Sequence, residues 1–228
     1  MDAEPRFRAS PTIRHAEIDG LRVLLDLPTE RYRVLDDSAS VLWSILICDT
    51  DARTALESFD VDEERLRADL DAFAGRCVEE RLLQRVDAVA APPAFDEPRT
   101  RAWERVLPRW VRALACLLET RRALAREGLW ATYERCAREP VAARVPDAAA
   151  ALSSFVAAEN LFVARRAPDD CLLRSLALYR FLRRCGVAAE HVIGVRRLPF
   201  AAHAWVEAAG SVLLDPGTGG FTPLARLG

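Results

Sequence analysis

The chain has 228 residues and a mass of 25.4 kDa, with 51% hydrophobic and 29% charged residues, a size that fits one large domain or two modest ones. Its formal net charge of -2 conceals a segregation: residues 1–98 hold 22 acidic residues against 12 arginines, and residues 99–228 hold 12 against 20. The composition excludes collagen-like, disordered and disulfide-stapled chains, and the absence of any Lys excludes a Walker-type ATP site, which needs one.

In chain order, residues 1–6 open no apolar signal segment and no later apolar run reaches about 18 residues. A cytoplasmic protein with reduced thiols and no membrane span is expected. Thr12 to Leu27 reads as two strands around a turn at Asp19-Gly20, and Arg31 to Leu35 alternates as a half-buried third strand. Asp36, Asp37 and Ser38 offer N-caps for a helix ending near Leu46. A second helix is expected from Asp51 to Phe59, and a third from Asp62 to Glu80 with Leu66, Leu70 and Phe73 on one face. These elements form a first domain over residues 1–87. Residues 88–98 carry Pro92, Pro93 and Pro98 and read as a linker. The second domain, 99–228, is helical from Trp103 to Arg165 with interruptions at Gly128, Pro140 and Pro146. One more helix follows after Pro168, and then short strands. The opposite charges of the two domains suggest that they could face one another. A nucleic-acid partner is not expected, because the basic half has no stripe of arginines interleaved with aromatics.

The chemistry concentrates in the last sixty residues. Pro168-Asp169-Asp170 precedes an apolar run and places Cys171 in the first turn of a helix. There, free N–H groups and the helix dipole favour a thiolate, with the two aspartates opposing. That helix is apolar around most of its circumference and ends with Arg183, Arg184 and Gly186, so it should be central and covered. Further on, a hairpin with the three-residue loop Ala208-Ala209-Gly210 would set Glu207 against Ser211, Trp205 against Leu213 and His203 against Asp215. A carboxylate opposite an imidazole can fix its tautomer while the other ring nitrogen meets a thiol. Cys171, His203 and Asp215 are thus a candidate triad. The other cysteines (48, 77, 116, 136 and 185) read as core residues, since they form no CxxC pair and no metal site is expected. His15 and His191 read as surface or satisfied structural histidines.

The segments Cys171-Leu-Leu-Arg174-Ser175-Leu-Ala-Leu, Gly194-Val-Arg, Pro199-Phe200-Ala-Ala-His203-Ala-Trp205-Val-Glu207 and Asp215 resemble the transglutaminase-like core of lasso-peptide B proteins, over roughly residues 150–228. The resemblance implies a cysteine protease that removes the leader from a lasso-peptide precursor. Cys171 would be its nucleophile, His203 its general base and then acid, and Asp215 its orienter. Asp26 to Trp43 resembles the PqqD-like precursor-recognition domain, which takes a leader as an added strand beside its third strand and against its third helix. Arg31, Tyr32, Arg33, Val34 and Leu35 would then supply the edge. Leu66 and Leu70, within Val61 to Phe73, would supply the groove wall. Papain-like sites often place a Gln before the Cys, but here the only Gln is Gln84 and the only Asn is Asn160. The oxyanion hole would rest on the Cys171 N–H with a second donor not identified, and Trp205, Asn160 and Arg174 are candidates for site support.

The expected fold is α+β: a winged-helix-like recognition domain of three strands and three helices, then a transglutaminase-like or papain-like core. The expected function is leader cleavage in lasso-peptide biosynthesis, with the leader region of the precursor as one partner and an asparagine-synthetase-like cyclase as the other. No cofactor is expected in this chain, any ATP use falling to the cyclase. Two rivals stay open: an acyltransferase that passes the same thioester to an amine, and an escort that binds the leader without cutting it.

Overall fold

The computed structural model describes residues 7–47, 62–86, 107–143, 146–161 and 171–228. The chain divides into two compact units, Met1–Pro93 and Ala94–Gly228. The helix expected at 51–59, the linker at 88–98 and residues 168–170 lie outside the described residues.

In the first unit, β1 (Phe7–Ala9) is followed by a meander of β2 (Ile13–Ile18), β3 (Leu21–Asp26) and β4 (Arg31–Val34). Asp19 and Gly20 both take left-handed φ, +51° and +78°, the conformation that a two-residue hairpin turn needs. Among the described residues, the order β2-β3-β4 leaves β4 at the edge of this sheet. Helix α1 (Asp37–Leu46) is capped by Asp36, whose carboxylate accepts the Ala39 N–H, and α2 (Glu63–Glu79) is capped in the same way by Asp62 on Arg65. Ser40 Oγ accepts the Arg22 N–H at 2.8 Å, and the Arg22 guanidinium donates to Ser44 Oγ at 2.7 Å, which fastens α1 to β3. Ile13, Leu24, Trp43, Phe73, Cys77, Leu82 and Leu83 make the core. Two features depart from the expected three-strand plan. A short strand β5 (Leu83–Arg85) pairs antiparallel with β1, two three-residue segments too short to carry a period. Leu35 lies past the end of β4 and packs on the core instead of lining the sheet edge.

In the second unit, α3 (Arg109–Ala137) is broken at Gly128, which takes φ +75°, and α4 (Ala148–Leu161) follows. Then come α5 (Cys171–Arg184) and a four-stranded antiparallel sheet of order β8-β7-β6-β9. Its strands are β6 (Ala189–Arg196), β7 (Ala201–Ala208), β8 (Ser211–Leu213) and β9 (Thr222–Leu227). Helix α5 packs on α3 and α4 and on strands β6 and β7, and every residue from Ser175 to Leu182 is buried. Its polar groups therefore need partners inside. Arg180, only 4% exposed, donates to Glu139 at 3.0 Å and to Thr120 Oγ1 at 3.0 Å. Arg184 donates to the other Glu139 oxygen at 2.7 Å, and Arg183 to the Glu139 carbonyl at 2.6 Å. Burial alone would raise the Glu139 pKa, but Arg184 and then Arg180 outweigh it and hold the carboxyl below its ordinary value. Nearer the start of α5, Ser175 Oγ donates to the Cys171 carbonyl at 2.7 Å and lies 2.9 Å from His191 Nε2. The hydroxyl has a single proton, so His191 is the donor in that second bond. Burial pushes His191 down to about 3, and it is neutral.

Glu139→Ala removes the nearer of the two carboxylates, Glu139 and Glu119, that pair with both of these buried guanidinium groups. It should cost about 3–5 kcal/mol, measured by denaturant unfolding. A depressed His pKa contributes stability that is complete above the unfolded value of 6.5 and is lost as pH falls toward about 3. The melting temperature, followed by circular dichroism, should fall across that range, and the Glu139 term should steepen the fall below its ordinary value of 4.5.

Candidate active site

Cys171 is the first residue of α5 and is half-buried, whereas Cys77, Cys116, Cys136 and Cys185 are buried free thiols. Burial pushes Cys77, Cys116 and Cys136 up to about 11, as expected for inert core cysteines; Cys48 lies outside the described residues. Cys171 lines a small cleft with Arg174, Ser175, Ala204, Trp205 and Asp215. Its thiol corrects the expectation of a helix-stabilised thiolate. Burial raises its pKa, against the pull of backbone N–H groups of Ala204, Leu172 and Cys171 itself, and the Asp215 charge adds to the rise.

Asp215 lines the cleft, and His203 is its hydrogen-bond partner. His203 Nε2 lies 2.8 Å from Asp215 Oδ2, and Asp215 Oδ1 accepts the Gly217 N–H at 3.0 Å. With Nε2–H donating to the carboxylate, the other ring nitrogen is Nδ1. The pair does not arise from the expected register. The β7–β8 ladder sets Val206 against Leu213, Glu207 against Val212 and Ala208 against Ser211, so the loop has two residues and not three. Ala209 and Gly210 take φ +49° and +76°, the two-residue turn, where an Ala was not expected to go left-handed. Continued straight, this ladder would oppose Asp215 to Ala204. Instead β8 ends at Leu213 and Leu214 takes φ +57°, which turns the chain and delivers Asp215 to His203.

The imidazole is flanked by rings. Trp205 stacks beside it at 6.1 Å with planes 22° apart, and Phe221, not anticipated from the sequence, lies 5.4 Å away. Gly194 is directly opposite His203 on β6, and a Cβ there would come 2.5 Å from the Trp205 ring, so only glycine seats that indole. The Trp205 N–H donates to Glu207 at 2.7 Å, and Arg226 donates to the other Glu207 oxygen at 2.8 Å. Arg226 and the indole hold Glu207 below its ordinary pKa. Trp205 therefore packs beside His203, with its indole N–H directed to Glu207. Asn160 is misplaced, its side chain being exposed on α4. Its neighbour Glu159, 8% exposed, is the residue that turns inward. It accepts from Arg174 Nε at 2.5 Å and Nη2 at 3.3 Å, while Arg174 Nη1 donates to the Leu214 carbonyl at 3.0 Å.

In the first unit, Arg31, Tyr32, Arg33 and Val34 form the edge strand β4, with Val34 45% exposed. Arg33 pairs with Glu80 at the end of α2. Leu66 and Leu70 lie half-buried on α2, apart from the side chains that pack on the core. Among the described residues, no group of three His, Cys, Asp or Glu side chains could hold a metal, and no helix is long and apolar enough to cross a membrane.

Comparison with known proteins divides along the same line. Residues 22–83 match the family model of coenzyme PQQ synthesis protein D (PqqD), and residues 114–226 match the transglutaminase-like superfamily. The Microcin J25-processing protein McjB of Escherichia coli is 50% identical over 47 residues, which is 21% of this chain and 23% of that protein's length. Two solved structures align with 35% and 37% of the chain and nearly all of their own. They are a lasso peptide synthetase B1 complexed with the leader peptide, at 25% identity and TM-score 0.31, and TbiB1 in complex with the TbiA(beta) leader peptide, at 27% and 0.29. The chain thus carries a PqqD-like segment at residues 22–83 ahead of a transglutaminase-like segment at 114–226.

Proposed function

We propose that the first unit captures the leader of a lasso-peptide precursor and that the second cuts leader from core by acyl transfer to water. The observation that carries this reading is the 2.8 Å His203–Asp215 pair beside a cleft lined by Cys171 at a helix start. His203 Nδ1 takes the Sγ proton, and the thiolate attacks the scissile carbonyl. The oxyanion is met by the Cys171 N–H, with the donors around Sγ close by. Collapse breaks the C–N bond, and the imidazolium gives its proton to the departing amine of the core peptide. The leader stays on Cys171 as a thioester until His203 activates a water that releases it as a carboxylate. Asp215 orients the ring and stabilises its charged form throughout.

The edge position of β4, with Leu66 and Leu70 on α2, supports strand addition as the mode of leader binding, in a winged-helix-like first unit followed by a papain-like second. A leader held there raises the local concentration of the scissile bond. All the reacting groups are side chains, so this reading assigns no cofactor to the chain. It assigns any ATP use to an asparagine-synthetase-like cyclase that receives the core peptide in the cytoplasm.

Incubated with a synthetic leader–core peptide, the wild-type protein should yield leader and core whose masses sum to the precursor plus one water. Cys171→Ala should yield neither, and Asp215→Asn should lose about 10⁴-fold in kcat. A product joined to an amine would favour the acyltransferase, and full function in Cys171→Ala would favour the escort. In His203→Ala, the Cys171 thiol loses its base while burial still raises its pKa, so its alkylation should require pH above the ordinary thiol range. Leu70→Asp should weaken leader binding about tenfold or more in a fluorescence titration, and should leave Cys171 alkylation unchanged.

A further inference from the structure

The turn at Leu214 is the least expected piece of backbone in the site. A bulky non-glycine residue in the left-handed region is disfavoured, and persists only where its surroundings enforce it. Here the enforcing contact is visible. Arg174 Nη1 donates to the Leu214 carbonyl at 3.0 Å, and the rest of its guanidinium is held by a fork of two hydrogen bonds to Glu159. Glu159 is buried and its carboxylate faces this arginine, so the pair has a preset geometry and a charge-assisted grip. Arg174 stands three residues after Cys171, on the same side of α5, and lines the same cleft.

One helix thus carries the thiol and, one turn on, the group that grips the residue preceding Asp215. Strand β8 has already ended at Leu213, so its ladder does not fix where Asp215 goes. We propose that Arg174, set by Glu159, is a positioning residue: it enforces the left-handed Leu214 and thereby aims the Asp215 carboxylate at His203. This rests on the reading of Cys171, His203 and Asp215 as the reacting set. It also assigns a role to a buried glutamate that otherwise has no place in the mechanism. Arginine suits the task because a lysine cannot both fork onto a carboxylate and reach a carbonyl on the other side.

The test compares wild type with Arg174→Met, Glu159→Gln, Asp215→Asn and the double variant Arg174→Met/Asp215→Asn. The first readout is the alkylation rate of Cys171 by iodoacetamide at pH 7, localised by peptide mass spectrometry, which needs no precursor. The second is kcat and KM for cleavage of a synthetic leader–core peptide. Arg174→Met and Glu159→Gln should slow Cys171 alkylation about tenfold, the effect of losing one hydrogen bond to a charged group. They should lower kcat by about 100-fold, as for a catalytic group displaced by ~1 Å, with KM unchanged. The double variant should be no slower than Asp215→Asn alone, because Arg174 acts through Asp215. Losses that multiply in the double variant, or wild-type alkylation in Arg174→Met, would overturn the proposal. If Arg174→Met fails to fold by circular dichroism, the near-isosteric Glu159→Gln and its double with Asp215→Asn decide the question by the same criteria. If wild type alkylates at Cys171 in a His203-dependent way but cuts no precursor, the cleavage reading fails. The alkylation comparison would then still decide the role of Arg174.

Discussion

Glu139 is the carboxylate on which the second unit turns. Two guanidinium groups of α5 lie under cover at its C-terminal end, and without a partner each would carry a desolvation cost of several kcal/mol. Both engage the same side chain, while a third arginine takes its backbone carbonyl, so the segment after α3 is clamped to the end of α5. Apolar packing alone leaves a buried helix free to slide or rotate by small amounts, because one leucine surface resembles another. Directed hydrogen bonds to a single carboxylate do not. At the opposite end, Ser175 and His191 tie α5 to β6. Cys171 therefore occupies a defined place because the helix that bears it is pinned at both ends by polar groups.

Much of this was readable from residue order. Period, caps and turn pairs located α1, α2 and the β2–β3 hairpin, and the apolar circumference of α5 marked it as central. The candidate site was legible in a more instructive way. Hairpin arithmetic paired His203 with Asp215 from a register that is wrong by one, and a local reversal at Leu214 restored the contact. A left-handed Ala209 and a left-handed Leu214 are both poor guesses from residue type, since φ is chosen here by surrounding contacts and not by intrinsic preference. Glu159 reads as an ordinary charge on a helix surface, and only the fold shows it facing Arg174. Phe221 escaped for the same reason: it reaches His203 from the residue before β9, and spacing along the chain says nothing about that. The β1–β5 pair joins segments more than seventy residues apart, each too short to signal a strand.

In the proposed reading, recognition and chemistry make opposite demands on the chain, and the two units divide them. Leader capture by strand addition uses main-chain groups on an open edge, which any extended segment can satisfy, with side-chain pockets adding selectivity. Cleavage uses a small, well-braced cleft in which three side chains must be aimed at one another. A protease whose cleft has little selectivity can still be specific when its substrate arrives already tethered.

The burial that raises the Cys171 pKa has a consequence for the lifetime of the protein. Peroxide attacks thiolates far faster than thiols, and repeated oxidation of a nucleophilic cysteine ends in acids that are not reduced. In the proposed reading, a nucleophile whose burial raises its pKa, and which gives up its proton to an imidazole during turnover, offers an oxidant little to react with between turnovers. On that reading the protein can persist through intervals when its precursor is scarce and still hold its reactive sulfur in the reduced form.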